Sequence, residues 1–436
     1  MERNWIRRVL VDVAPLRRSR DFRALIAGQT VSLLGSQMTA VAVPYQVYAL
    51  TRSSLAVGLV SLAALPVMLA GAFLGGSVAD AADRRRLLIV VSAASAVFSA
   101  ALALNAIWGP ALWPLFACSA LAAGLSTFED AALGAVVPNL VERGEVPAAN
   151  AVLQSVFQLG LVAGPALAGL LVAVAGTAAV FWIDTASFGA ATLAAWSIKP
   201  QPPAAGAGGH RPGLRSVTDG LAFLRGRPVV QGALVIDVNA TVLGMPRALF
   251  PAMAARTFGG GAAVLGLLYA APGAGALLGA LTSGWVGRIE RQGRAVIVAV
   301  VGWGLAITAF GWTAWLPAAL IFLALAGWAD VVSAVLRTTM VQLAVPDALR
   351  GRLTGLQTAL VTGAPRLGDV EAGAVAAGFG TAVSVISGGL GCVTGALVIA
   401  RLLPEFRRQR NAEPARGAAG PSPEPAPAPC LRDDVS

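Results

Sequence analysis

The sequence predicts an all-α membrane protein of twelve transmembrane helices, arranged as two six-helix bundles with both termini cytoplasmic. Three observations carry this prediction. The 436-residue chain is 56% hydrophobic and only 12% charged, with a mean hydropathy of +0.73. Apolar runs of the roughly 20 residues needed to cross a bilayer recur along almost its whole length. Arginine is concentrated in alternate loops, and a shift of 208 residues brings the second apolar run onto the eighth.

The spans fall at 24–50, 55–79, 86–107, 112–137, 149–175, 179–197, 229–255, 262–287, 294–313, 315–343, 353–377 and 381–403. Loops bearing Arg84, Arg85 and Arg86, then Arg143, then Arg211, Arg215, Arg225 and Arg227, then Arg288, Arg291 and Arg294, then Arg350 and Arg352 alternate with uncharged turns. Trp108-Gly109-Pro110, Gly176-Thr177 and Trp312-Thr313 are turns of the second kind. The excess of arginine marks the cytoplasmic side of a cell-membrane protein. The same distribution excludes nucleic acid as a partner, although the net charge of +10 alone would suggest it. No obligatory protein partner is indicated; the bilayer and a small molecule are the partners expected.

The 208-residue shift superimposes Gly58, Gly71, Gly76 and Val78 on Gly266, Gly279, Gly284 and Val286, and Pro138 on Pro346. One offset serving separate helix pairs indicates an internal duplication of six spans, with two bundles about a central cavity. The organisation is then a cytoplasmic segment (1–20), an N-terminal bundle (21–198), a cytoplasmic linker (199–227), a C-terminal bundle (228–404) and a Pro/Ala-rich tail (405–436) expected to be disordered. Glycines four apart, at Gly71 and Gly75, Gly160 and Gly164, Gly275 and Gly279, and Gly391 and Gly395, suit close helix packing in lipid.

Cys118, Cys392 and Cys430 show no paired spacing, so neither a disulfide framework nor a metal site is expected. The N-terminus lacks the compact apolar core of a cleaved signal. An intramembrane enzyme would need a nucleophile with its base or a histidine-rich metal cluster, yet the sole histidine, His210, lies in the linker. A nucleotide-driven pump would need a phosphate-binding loop; the sole lysine, Lys199, is also in the linker.

An ionised side chain at the bilayer centre costs at least about 2.5 kcal/mol, so intramembrane charges mark candidate sites. They are Glu129 and Asp130 in the fourth span, Asp184 in the sixth, Asp237 and Arg247 in the seventh, Asp330 and Arg337 in the tenth, and Arg366, Asp369 and Glu371 in the eleventh. Adjacent residues cannot share a helix face, so Glu129 and Asp130 need separate partners. The repeat places Glu129 on Arg337, so these two are expected to approach across the cavity. Glu129 or Asp130 is then the candidate proton carrier, and Arg337 or Arg247 the contact for an anionic substrate. Arg366 pairs with Asp369 or Glu371 along one helix in the local alternative. Asp184 has no assigned role. Tyr45 and Tyr269 are aromatic candidates for substrate contact.

Between the second and third spans, Gly76, Asp80, Arg84 and Arg85 follow the glycine, acid and basic pattern of a loop typical of the major facilitator superfamily, with Ala81 and Asp83 departing from it. In that family the loop holds the cytoplasmic side shut in one state. Gly160, Gly164, Pro165 and Gly169 resemble the glycine-proline motif of its exporters; proline removes a helix hydrogen bond and glycine admits a neighbouring backbone. With Asp21-Phe22-Arg23, Val43-Pro44 and Leu281-Thr282-Ser283-Gly284, residues 20–404 resemble the enterobactin exporter group, which is itself similar to drug:proton antiporters. The resemblance implies export of a siderophore-like or amphipathic molecule, no cofactor, and the proton gradient as energy source. Ala120 stands where many proton-coupled exporters carry an arginine. A broad multidrug exporter of the same fold, or a receptor that binds without flux, are the alternatives.

Overall fold

The computed structural model describes residues 12–202, 224, 226–344 and 347–410, without the side chains of Ser77, Asp80 and residues 347–355. Most of the linker and nearly all of the tail therefore lie outside the described residues, as do the side chains of Arg350 and Arg352. Among the described residues the regular elements are all helical. They are α1 (Ala14–Arg18), α2 (Arg20–Thr51), α3 (Ser54–Ala81), α4 (Arg84–Trp108), α5 (Leu112–Leu140), α6 (Val146–Ser197), α7 (Pro228–Leu243), α8 (Phe250–Arg256), α9 (Gly261–Thr282), α10 (Gln292–Trp312), α11 (Leu316–Ala344), α12 (Asp347–Phe379), α13 (Thr381–Leu402) and α14 (Pro404–Arg408). Nine helical stretches among the described residues are long and apolar enough to cross a membrane.

Local chemistry sets several boundaries. Ser19 Oγ accepts the Phe22 N–H at 3.1 Å and Ser53 Oγ the Ala56 N–H at 3.3 Å, which caps α2 and α3. α6 runs 52 residues through both the fifth and sixth expected spans, but Gly176 breaks it with φ 79° and ψ 175°. Only glycine adopts that conformation freely, so the chain turns there into two arms.

Two departures from the expected spans have plain causes. The seventh is not one helix: α7 ends at Leu243, and Gly244-Met245-Pro246 leads through a 3-10 turn at Arg247–Leu249 into α8. Pro246 has no N–H to continue the ladder. The beginning of the expected disordered tail is ordered as α14, where Phe406 is fully buried. Gly232 and Gly293, which lack side chains, make the room in which it sits.

α2 lies along α6, and α3 and α4 pack on α5 and α6. In the C-terminal half α9 packs on α11, and α10 on α11 and α13. The duplication is visible in these contacts. Gly71 of α3 faces Gly124 and Thr127 of α5, just as Gly279 of α9 faces Trp328 and Val331 of α11.

Two seams join the halves, α3 against α12 and α6 against α9. Both bring backbone against backbone toward the uncharged turns. A Cβ at Gly169 would lie 2.7 Å from the Ala262 carbonyl oxygen and 2.8 Å from Gly266 Cα; one at Gly373 would lie 2.8 Å from Leu55 Cα. Nearer the arginine loops a Cβ at Gly363 would meet only Leu65 Cδ1, at 3.7 Å. Glycine is thus needed where backbone meets backbone across the halves.

Gly169→Val should destabilise the protein by about 1–3 kcal/mol through overpacking, whereas Gly134→Ala, where a Cβ meets nothing within 4 Å, should be neutral or stabilising. Thermal unfolding of the purified protein in detergent checks both.

Candidate functional site: a charge-paired cavity beside a broken span

Three features of the C-terminal half converge on one region. A cavity of about 380 Å³ lies between α7, α11 and α12, lined by Leu234, Asp237, Arg337, Thr338, Gln357 and Thr358 among others. Arg337 is 9% exposed and its Nη2 lies 2.8 Å from Asp237 Oδ1 and 3.9 Å from Asp330 Oδ1. Its Nη1 is buried and has no hydrogen-bond partner among the described residues. A paired guanidinium with one free edge is a ready donor to a ligand oxygen.

A second cavity, about 130 Å³, lies under the break in the seventh span and is lined by Arg247, Phe250, Tyr269, Trp303 and Asp330. Non-helical backbone at membrane depth needs partners, and side chains supply them here. Trp303 Nε1 donates to the Gly244 carbonyl at 2.9 Å, and the Tyr269 hydroxyl donates to the Arg247 carbonyl at 3.2 Å. The Ala248 N–H donates to Asp369 Oδ1 at 3.2 Å. Tyr269 is held edge-on to Phe250, with ring centroids 5.1 Å apart.

The remaining candidates fall as follows. Glu129 accepts from Gln29 Nε2 of α2 at 3.0 Å, so its hydrogen-bond partner is Gln29 while Arg337 is paired within its own half. That arrangement replaces the expected approach of Glu129 to Arg337. The two residues are equivalent in the repeat, but each of them is partnered within its own half. Asp130, on the adjacent face of α5, is exposed. Arg366 Nη1 donates to the Thr362 carbonyl one turn back at 2.6 Å. Asp369 Oδ2 accepts from Ser61 of α3 at 2.6 Å, across the halves. Asp369 is thus held by α3 and by the segment leading into α8, and Glu371 is half-buried nearby. Tyr45 is half-buried against the main apolar core.

Gly76 and Asp80 belong to the last turns of α3, so the connection to α4 is shorter than the sequence suggested; the Asp80 side chain lies outside the described residues. Arg85 donates to the Trp196 carbonyl at 2.5 Å and the Ala195 carbonyl at 3.3 Å, the end of α6. The Arg84 N–H reaches the Gln201 carbonyl at 3.1 Å. Asp83, a departure from the family pattern, caps α4 through the Arg85 N–H at 2.9 Å and also accepts the Gln201 N–H at 3.2 Å. Of the exporter-type residues, Gly160 and Gly164 face Leu33 and Gln37 of α2, while Pro165 and Gly169 face Gly266 of α9. The motif therefore serves packing within one half and the seam between halves at once.

Asp184, unassigned from sequence, is 2% exposed and accepts from Thr39 and Ser99 at 2.8 Å each and from Ser187 at 3.4 Å. Three hydroxyls from α2, α4 and α6 make it a hub of the N-terminal half. Sequence reasoning also missed Ser61, Trp303 and Gln29, single polar side chains in apolar helices. The break at Gly244 was legible in Gly-Met-Pro.

Two helical halves closed by glycine seams, with paired charges on interior cavities, define a membrane carrier. The chain belongs to the major facilitator superfamily: residues 11–423 match the family described as transmembrane secretion effector. It is 31% identical over 412 residues to the enterobactin exporter EntS of Citrobacter koseri, covering 94% of this chain and 98% of that protein. It is 30% identical over 412 residues to EntS of an Escherichia coli strain, with the same coverage. Among solved structures, the D-xylose-proton symporter superposes with a TM-score of 0.67 at 14% identity, covering 89% of this chain and 99% of that one. The nucleoside transporter NupG gives 0.64 at 14% identity, covering 89% and 98%. These two share the fold. The chain is thus a multi-pass membrane exporter of the major facilitator type; its family and relatives are transporters, not enzymes.

Arg337→Ala should cost up to about 3 kcal/mol because it strands the half-buried Asp237 carboxylate, and Asp237→Ala in the same protein should restore part of it. Thermal stability of the two single variants and the double variant checks this; additive losses would contradict the pairing.

Proposed function

We propose that this protein exports a siderophore-like or similarly amphipathic small molecule across the cell membrane in exchange for protons, by alternating access. The observation that carries most weight is the cavity bearing Asp237 and Arg337, whose buried Nη1 has no hydrogen-bond partner among the described residues. Apolar walls with a few convergent polar groups suit an amphipathic ligand. The names of the exporters that the chain resembles support a siderophore among such ligands.

Twelve spans and cytoplasmic termini complete the reading. The two arms of α6 counted separately, together with α2 and α12, bring the nine apolar stretches to that number. An even number returns the chain to its starting side, and the arginine loops support the cytoplasm as that side. The α3–α12 seam, tight toward the uncharged turns and looser toward the arginine loops, supports a state open to the cytoplasm.

Glu129 is the better proton carrier in this scheme. Asp184 has its oxygens occupied by three hydroxyls, whereas Glu129 has one neutral donor, Gln29, and keeps acceptor capacity. With Ala120 in place of the arginine found in many relatives, the carboxylates of α5 are the acids nearest to that role in sequence.

The test is uptake of a catecholate siderophore and of a cationic dye into inverted vesicles, with and without an imposed proton gradient. Gradient-driven siderophore uptake is expected, with Glu129→Gln losing the gradient response. Transport of the dye instead would make the protein a multidrug exporter; binding without flux would overturn the transport reading.

A further inference from the structure

Asp369 touches more independent parts of the fold than any role assigned above requires. Its Oδ2 accepts from Ser61 of α3 in the N-terminal half at 2.6 Å, and its Oδ1 accepts from the Ala248 N–H in the broken seventh span at 3.2 Å. Its own backbone lies against Gly58, where a Cβ would fall 2.8 Å from the Asp369 carbonyl carbon and 3.0 Å from Val370 Cα. One carboxylate thereby joins α3, α12 and the segment leading into α8. On the far side of that segment, the Arg256 guanidinium stands 5.9 Å over the ring of Tyr48 in α2. The short α8 is therefore tied to the N-terminal half at both ends, while its connection to α7 is the Gly244–Pro246 break.

We propose that Asp369 is a positioning residue that latches the seam on the uncharged-turn side: it holds α8 and α3 together, and its release from Ser61 is required for that side to open. The chemistry fits the role. Only a carboxylate accepts from a hydroxyl and a backbone N–H simultaneously through separate oxygens, and an ionised acceptor makes both bonds stronger. Its charge has company, because Arg366 lies one turn away on α12 and Arg247 one residue before Ala248. A carboxylate at membrane depth that touches both halves is costly to keep for packing alone. The hinge is also built to move. The backbone groups freed at the break are held by side chains, from Trp303, Tyr269 and Asp369, which can exchange partners more readily than a helix ladder.

The test uses the full-length protein with its three cysteines replaced, and two reporters introduced separately. Ser54→Cys sits in the seam against Gly373, where residue 54 is 9% exposed. Thr358→Cys lines the cavity beside Arg337. Maleimide labelling is followed in detergent, where both faces are accessible to the reagent. Asp369→Ala and Ser61→Ala are expected to raise labelling at position 54 by about three- to tenfold, the range for a lost interhelical hydrogen bond in a membrane protein, and to lower it at position 358. Ser61→Thr, which keeps the hydroxyl, is expected to behave as wild type. Should Asp369→Ala fail to fold, the Ser61 pair carries the test alone. Unchanged labelling at position 54 overturns the latch. A rise at both positions also overturns it, since that is general loosening.

The latch rests on the alternating-access reading, and the two fail differently. If substrate and a change of pH in detergent leave both reporters unmoved in otherwise wild-type protein, alternation fails. If they move the reporters but the latch variants match wild type, only the latch fails.

Discussion

Inside a bilayer, every backbone polar group and every charge must find its partner within the protein. The most consequential place where this chain meets that requirement is the break in its seventh span. A continuous helix would have satisfied itself. Gly244 and Pro246 interrupt the ladder, and the freed groups are taken up by Trp303 from α10, Tyr269 from α9 and Asp369 from α12. Three helices are thereby committed to one non-helical turn, and the cavity containing Arg247 and Asp330 lies beneath it.

The two halves share a plan but not a charge arrangement. Glycines superimposed by the 208-residue repeat do equivalent jobs: Gly71 and Gly279 pack within their halves, while Gly58 and Gly266 lie in the two seams. The polar interiors differ. The N-terminal half gathers hydroxyls around Asp184 and gives Glu129 an amide, so its acids are held by neutral donors. The C-terminal half pairs Arg337 with two aspartates around a cavity. Such asymmetry suits a division of labour in which one half binds the proton and the other the substrate.

Much of this fold was legible in the sequence, because hydropathy, arginine placement and glycine spacing are all one-dimensional signals of membrane packing. The helical character of most spans, the turn at Gly176 and the close-packed glycines Gly160 and Gly164 followed from them. Gly-Met-Pro announced a break that the apolar run around it obscured. The partners of the buried charges were not legible. Asp237 and Arg337 are a hundred residues apart in sequence, and nothing local in Ser61 marks it as the residue facing Asp369. The repeat did not reveal Gln29 as the partner of Glu129, since equivalence by symmetry does not specify contacts. Phe406 was hidden for another reason: a tail that reads as polar and proline-rich overall still begins with one aromatic residue, and the glycines that receive it, Gly232 and Gly293, lie far away in sequence.

The central claim is that two halves rock about the cavity, so that closing one face opens the other. Distances between spin labels on opposite halves test it directly. One pair replaces Arg143 and Arg291 at the arginine-loop face, and another replaces Trp108 and Trp312, which are 80% and 81% exposed, at the opposite face. Adding substrate and imposing a proton gradient in reconstituted membranes should change the two distances in opposite senses, by roughly 5 Å or more. Distances that stay fixed, or that lengthen together at both faces, would contradict the account.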